Sequence, residues 1–335
     1  MNGPRSRVLG WGADTPGLVV TNEELAPIVD SSAEWIVKRS GIRERRYVDN
    51  AEGSVAMADT AARSALEMAA TELGELDVII GCTLSPDIDF PSNAQLLQER
   101  LGVPGIPAFD VRNQCSGFLY ALAVADQFVR TGARRVLVVG SEVHSSGLDF
   151  QGKRGRAVTV LFGDAAGAAV LGPSDEQDRG LLAYRLHAEG EHADKLWVSG
   201  PSHRHRPRLD LSCLPPESND PYPIMNGRYV FQHAVERMTE SIRDVTAEAG
   251  LTPADIDMLL PHQANLRINQ MLADTLELGE DRVANNIERY GNTTAATIPL
   301  LLTETAAAGR IKRGDVVCVT AFGAGFTWGA ALYRW

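Results

Sequence analysis

At 335 residues, with 44% hydrophobic and 22% charged residues, the chain has a globular composition and room for one large or two mid-sized domains. A formal charge of -11 excludes a protein that coats nucleic acid, which needs clustered Lys and Arg, while a local basic patch can still bind an anion. No stretch approaches the roughly 20 apolar residues of a membrane span, and the opening MNGPRSRVLGWG lacks an apolar signal core, so a cytoplasmic protein is expected.

In chain order, short β-branched runs alternate with helix-period segments, the pattern of an α/β fold. Strands are predicted at 8–12 (VLGWG), 77–82 (DVIIGC), 136–140 (VLVVG), 158–162 (VTVLF), 258–260 (MLL) and 316–320 (VVCVT). Helical periodicity covers about 54–73, 91–101, 116–131, 228–249, 265–277 and 296–308. Leu251-Thr252-Pro253 supplies a capping Thr and an N1 Pro for a further short helix. The order of long helix, strand, loop, helix and strand recurs, which divides the chain into two similar halves, 1–172 and 224–335. Between them, 173–223 reads as a connecting segment. Its Gly200–Pro223 part, rich in Pro, His, Ser and Arg, is a long surface loop of the kind that often serves as a lid.

The cysteines are Cys82, Cys115, Cys213 and Cys318, widely spread and without a CxxC pair, which fits reduced thiols. Cys82 and Cys318 sit inside strand runs and read as small buried hydrophobes. Cys115 differs: it stands at a strand-to-helix junction, with Ser116 and Gly117 leaving room around it. The aligned N–H groups of a helix N-terminus favour thiolate over thiol there. His262 follows a buried strand, Leu259-Leu260-Pro261, and so points into whatever cleft the strand ends line; the bland alternative is a ring satisfied by a tight turn. Asn292 in Tyr290-Gly291-Asn292-Thr293-Thr294 would ordinarily be a turn residue or cap. The glycines of Phe322-Gly323-Ala324-Gly325-Phe326 either close a turn or bring backbone N–H groups to a reacting carbonyl.

In this order and spacing the motifs are specific. From about Val8 to the C-terminus the chain resembles the β-ketoacyl-acyl-carrier-protein synthase III family of the thiolase superfamily. The resemblance is carried by EWIVKRSGIRERR (34–46), AFDVRNQCSGFLYAL (108–122), FGDAAGAAVL (162–171), LLPHQANLRI (259–268), YGNTTAA (290–296) and AFGAGFTWGAAL (321–332). It implies a five-layered αβαβα fold built from two pseudo-repeated halves. It also implies a decarboxylative condensation of an acyl-CoA primer with a malonyl-carrier protein that needs no metal or redox cofactor.

By the same resemblance Cys115 is the nucleophile, His262 and Asn292 hold the malonyl thioester carbonyl, and the N–H groups of Cys115 and Ala324 form the oxyanion hole. Trp35, Arg39 and either Arg154 or Arg156 contact CoA, as does Asn265, which also lies where it can orient His262. Phe90, Phe162, Met225 and Phe322 line the acyl pocket, Phe90 from across the interface of a homodimer. Arg267 docks the carrier protein. Asp274 and Thr275 stand where Lys is common in the family, so Arg237, Arg243 or the loop arginines are candidates to compensate. The long loop is a candidate determinant of primer length or carrier choice. The runner-up is a specialised relative from secondary metabolism that takes a branched, medium, long or carrier-bound primer.

Two readings from other classes stand further off. One is a metal-binding protein built on His187, His192, His203, His205 and Cys213. The other is a non-catalytic binding module, against which the intact Cys115 and His262 argue.

Overall fold

The computed structural model describes residues 4–49, 53–151, 155–208 and 220–335. The first half runs β1 (Ser6–Asp14), β2 (Leu18–Thr21), α1 (Asn22–Leu25), α2 (Ala33–Ser40), β3 (Glu44–Tyr47), α3 (Gly53–Met68), β4 (Val78–Cys82), α4 (Asn93–Leu101), β5 (Ala108–Val111), α5 (Gly117–Arg130), β6 (Val136–Glu142), α6 (Gly155–Val158) and β7 (Ala165–Pro173). There follow β8 (Gly180–Ala188), β9 (Leu196–Trp197), β10 (Ile224–Met225), α7 (Gly227–Glu248), β11 (Met258–Pro261), α8 (Leu266–Thr275), α9 (Ile287–Tyr290), α10 (Thr297–Ala307), β12 (Val316–Gly323) and β13 (Thr327–Arg334).

Of the two large sheets, the first has the order β1-β7-β6-β4-β5 and the second β11-β12-β13-β8; β2 pairs with β3, and β9 with β10, in two small ones. In the first, β4 is parallel to β6, β6 antiparallel to β7, and β7 antiparallel to β1. The second repeats that succession: β11 parallel to β12, β12 antiparallel to β13, and β13 antiparallel to β8. Thus β8 occupies in its sheet the place of β1, and the stretch 173–223 contributes a strand as well as a loop.

Five layers follow from which faces are apolar. Residues of β4 alternate: Val78 and Ile80 face the central core with Phe118, Leu122, Leu260 and Val319, while Ile79 faces the outer core of α3 and α4. Strands buried on both faces read as continuous apolar runs, as VIIGC does. The helices α5 and α10 lie between the sheets, and α7 packs on the far face of the second with Ile242 and Val245 against Leu259 and Leu332.

One strand expectation fails for a physical reason, and the strand that follows it in the chain goes unpredicted. The run 158–162 is buried and β-branched, but beyond one bridge at Phe162 it has no ladder partner; α6 ends at Val158 and a turn follows, with the Leu161 N–H donating to the Val158 carbonyl (3.0 Å). The strand of that region is β7, an Ala- and Gly-rich segment of weak strand propensity. Its small residues admit close layers: a Cβ at Gly167 would lie 2.8 Å from the Pro299 ring on α10. The helix α2 lies within the motif EWIVKRSGIRERR and outside the predicted helices. Its signals are local, a Ser32 side chain capping the Trp35 N–H and Gly41 at φ +83 closing the end.

Candidate active site

The chain leaves β5, makes a 3-10 turn at Gln114–Ser116 and enters α5. Cys115 sits in that turn, 7% exposed, after Gln114 in the left-handed region at φ +44. The end of β12 passes directly against it: a Cβ on Gly323 would stand 2.8 Å from the Cys115 Cβ, so only glycine fits. The N–H groups of Cys115 and Ala324 both donate toward Sγ. Burial nevertheless dominates, and with the nearby Glu142 charge it pushes the Cys115 thiol up to about 12, against those two donors. The backbone donors that favour thiolate at the helix start are therefore outweighed by burial.

His262 follows β11 and is 2% exposed. Its backbone N–H donates to the Thr320 carbonyl on β12 (2.8 Å), and its Nδ1 lies 2.7 Å from Thr297 Oγ1. Nε2 is buried without a partner. Burial lowers the ring pKa to about 3, so the imidazole is neutral. Asn292, 4% exposed, is held at its backbone by the Leu161 carbonyl (2.7 Å) and the Gly163 N–H (3.1 Å). Its Oδ1 accepts the Thr294 N–H (2.9 Å), which leaves Nδ2 as the donating end. The turn Thr294–Ala296 packs on the Cys115 turn, which also packs on β12, so all three segments converge.

Sequence reasoning missed the residues behind them. Gln263, fully buried, gives its Nε2–H to the Pro261 carbonyl (2.8 Å), and its Oε1 accepts the Asn286 N–H (3.1 Å). Glu142, fully buried, accepts from Thr83 Oγ1, the Leu84 and Ser85 N–H groups and Ala295 N–H, tying the β4 and β6 ends to the Asn292 segment. Burial raises its carboxyl to about 7 against those donors. A signal existed for His144, which follows the β6 strand as His262 follows β11.

The CoA-binding candidates lie on one surface. The Arg156 guanidinium stacks over the Trp35 ring, 5.0 Å from its centroid; Arg154 lies outside the described residues. Asn265 does not reach His262: it caps α8, accepting the Arg267 N–H (3.0 Å), and donates to the Arg39 carbonyl (3.1 Å). The ring of His262 is oriented by Thr297 in its place. Arg39 and Arg267 are exposed.

The acyl-pocket candidates are not gathered by one chain. Phe162 and Met225 share an apolar cluster with Trp35 and Leu266. Phe322 packs elsewhere, with Phe326 at 4.8 Å and Trp328. Phe90 is 84% exposed. Arg237 pairs with Glu189 and Glu240 (3.0 Å each), its guanidinium over the Trp328 ring.

Of the long loop, 209–219 with Cys213 lies outside the described residues; its earlier part is tied by Arg208 to Asp89, next to Phe90. His187 stacks on Trp328 (5.3 Å), and among the described residues no group of three or more His, Cys, Asp or Glu is placed to hold a metal ion. No described helix is long and apolar enough to cross a membrane.

Fold and site together define a condensing-enzyme scaffold with a cysteine at the junction of its halves. The sequence matches the family described as 3-oxoacyl-[acyl-carrier-protein (ACP)] synthase III over residues 109–190, and that family's C-terminal part over 246–335. It is 44% identical to a β-ketoacyl-[acyl-carrier-protein] synthase III of Rhodospirillum centenum, covering 99% of each chain. It is 46% identical to that of Alkalilimnicola ehrlichii, over 98% of this chain and 99% of the other. The crystal structure of the Aquifex aeolicus 3-oxoacyl-[acyl-carrier-protein] synthase III superposes with a TM-score of 0.89 at 41% identity, covering 98% of this chain and 100% of that one. The chain belongs to the 3-oxoacyl-[acyl-carrier-protein] synthase III family, with its thiolase-type fold.

Proposed function

We propose that the protein joins an acyl-CoA primer to a malonyl-carrier protein by decarboxylative Claisen condensation through an acyl-Cys115 intermediate, and so initiates fatty-acid synthesis. The observation that carries this reading is one convergence: Cys115 under the Ala324 N–H, His262 with an unpartnered buried Nε2, and the donating end of Asn292.

In the first half-reaction Cys115 sulfur attacks the thioester carbonyl, and the oxygen gains negative charge between the Cys115 and Ala324 N–H groups. The thiol proton leaves with CoA. Splitting the reaction through a covalent intermediate gives ping-pong kinetics. In the second, carbon dioxide leaves the malonyl thioester, and the electron pair it leaves behind moves onto the thioester oxygen. Asn292 Nδ2 and His262 Nε2–H donate to that oxygen. Thr297 Oγ1 stands 2.7 Å from Nδ1 and 2.9 Å from the Thr294 carbonyl and has one proton to give; Nε2 carries the ring proton when that hydroxyl turns from the carbonyl to donate to Nδ1. A neutral His and an amide do this without burying a cation. The enolate carbon attacks the acyl-Cys115 carbonyl, the C–S bond breaks with its electron pair on sulfur, a 3-ketoacyl thioester is released, and the Cys115 thiolate takes a proton from solvent to restore the thiol.

Trp35 with Arg156 is the adenine end of the CoA site, with Arg39 and Asn265 beside it. The exposed Arg267 faces the acidic carrier protein. The protein acts in the cytoplasm as a homodimer. Support for the dimer comes from β5, which is an outer strand of its sheet, and from Ile88 and Phe90, 46% and 84% exposed in the loop between β4 and α4.

The test is intact-protein mass spectrometry after incubation with acyl-CoAs from acetyl to long-chain, beside Cys115→Ala. One acyl adduct, absent in the variant and strongest with acetyl or short branched chains, is expected. An adduct persisting in Cys115→Ala overturns the nucleophile, and a preference for medium or long chains overturns the initiating role.

A further inference from the structure

One buried histidine has no part in those steps. His144 follows β6 and is 7% exposed, and burial depresses its pKa to about 3, so it is neutral. Its backbone N–H donates to Asp164 Oδ1 (2.7 Å), and its ring lies 4.7 Å from that of Phe162. Its Nε2 stands 2.6 Å from Thr294 Oγ1. Both neighbours lead to Asn292. Phe162 is bridged to Asn292 through the backbone, and the Thr294 N–H donates to the Asn292 Oδ1.

Thr294 is fully buried at φ +49, a left-handed conformation that a β-branched side chain adopts only when its surroundings impose it. The side chain that meets its hydroxyl is His144. Were Thr294 to relax out of this conformation, its N–H would leave Asn292 Oδ1. The amide, nearly symmetric in shape, would then lose the bond that decides which end faces the site.

We propose that His144 is a positioning residue for the condensation step. Through the Nε2–Oγ1 bond it holds Thr294 in its left-handed conformation, and Thr294 in turn aims the Asn292 Nδ2–H at the malonyl thioester oxygen. This rests on the role given above to Asn292, and it assigns to His144 no contact with substrate.

Two substitutions break the same link from opposite sides. His144→Leu removes Nε2, and Thr294→Val keeps the shape of the side chain while removing its hydroxyl. Two readouts separate the half-reactions: acyl labelling of Cys115, and release of carbon dioxide from a malonyl thioester by enzyme already acylated. In each single variant carbon dioxide release falls about 10²-fold, the loss that a displacement of about 1 Å brings, while labelling is unchanged. The double variant loses no more than either single one, because the two side chains act as one unit. Thr294→Ser, which keeps the hydroxyl, retains carbon dioxide release.

Losses that multiply in the double variant, labelling that falls in step with carbon dioxide release, or a His144→Leu enzyme with full release overturn the inference. Should His144→Leu not fold, the comparison of Thr294→Val with Thr294→Ser decides it alone: equal release in those two overturns it. Wild-type protein that takes no acyl group marks instead the failure of the Cys115 assignment.

Discussion

At the scale of single residues, burial sets the chemistry more than proximity to a helix end does. Cys115 lies where backbone donors favour thiolate, yet desolvation holds its thiol at about 12. Alkylation of the free protein by iodoacetamide should therefore climb with each unit of pH above neutrality; a plateau near pH 7 would show that the donors win. In the proposed mechanism His262 and Asn292 are the two donors to one oxygen, and removing such a donor typically costs about 10²–10³ in rate. His262→Ala and Asn292→Ala should accordingly spare Cys115 labelling and lose condensation, measured by product release from the acylated enzyme.

The buried histidines also set an acid limit. His144 and His262 titrate near 3 in the folded protein and at the ordinary 6.5 when unfolded. Between those values the unfolded chain binds more protons, so the stability present above 6.5 is lost as pH falls toward 3. Glu142 has the opposite sign: raised from 4.5 to about 7, it favours the folded state below 4.5 and loses that contribution as pH rises through 7. Burial raises Asp110 and Asp164 above 3.8 in the same sense as Glu142, but the two histidines lead just below 6.5, where urea midpoints should first decline on acidification. A flat profile would mean that neither ring is neutral in the fold.

At the scale of elements, the site is assembled from ends. Cys115 begins a helix, His262 ends β11, Asn292 precedes α10, and Gly323 ends β12. Such junctions tolerate little added volume. Gly323→Ala would force a methyl into the Cys115 side chain and backbone, and overpacking of this kind typically costs about 1–3 kcal/mol. Its expected outcome is a lower Tm together with loss of acyl labelling; a labelled, equally stable variant would show that β12 can withdraw. Asn265 joins α8 to α2 beside the proposed CoA site. Asn265→Ala should raise KM for acyl-CoA and leave decarboxylation by the acylated enzyme intact, as steady-state and single-turnover kinetics would distinguish.

At the scale of the whole molecule, two similar sheets enclose α5 and α10, and the outer strand β5 and its neighbouring loop remain uncovered. A second copy on that edge would bury Phe90 and Ile88. Light scattering should give about twice the chain mass, and Phe90→Asp with Ile88→Asp should shift the mass toward that of one chain. A monomeric wild type would leave Phe90 without the acyl-wall role given to it.

Periodicity and junction chemistry made much of this readable from residues alone. The runs DVIIGC and VVCVT announce buried strands because both of their faces are apolar, and LLPHQAN and YGNTTAA mark strand and helix ends because their polar residues stand against apolar flanks. Local signals failed where long-range packing decides. Ala-rich β7 is a strand because α3 and α10 press on it from both faces, whereas VTVLF has the composition of a strand and no neighbour to pair with along its length. In the same way, the sequence by itself determined the fold class, the family and the motif order, and it singled out Cys115, His262 and Asn292 as candidates, since each lies in a segment whose chemistry is local. Only the tertiary structure decided that Cys115 rests as a thiol, that Arg156 is the arginine over Trp35, and that Thr297 and His144 stand behind the two donors. Those depend on desolvation and on contacts between residues far apart in the chain, which no run of neighbouring residues encodes.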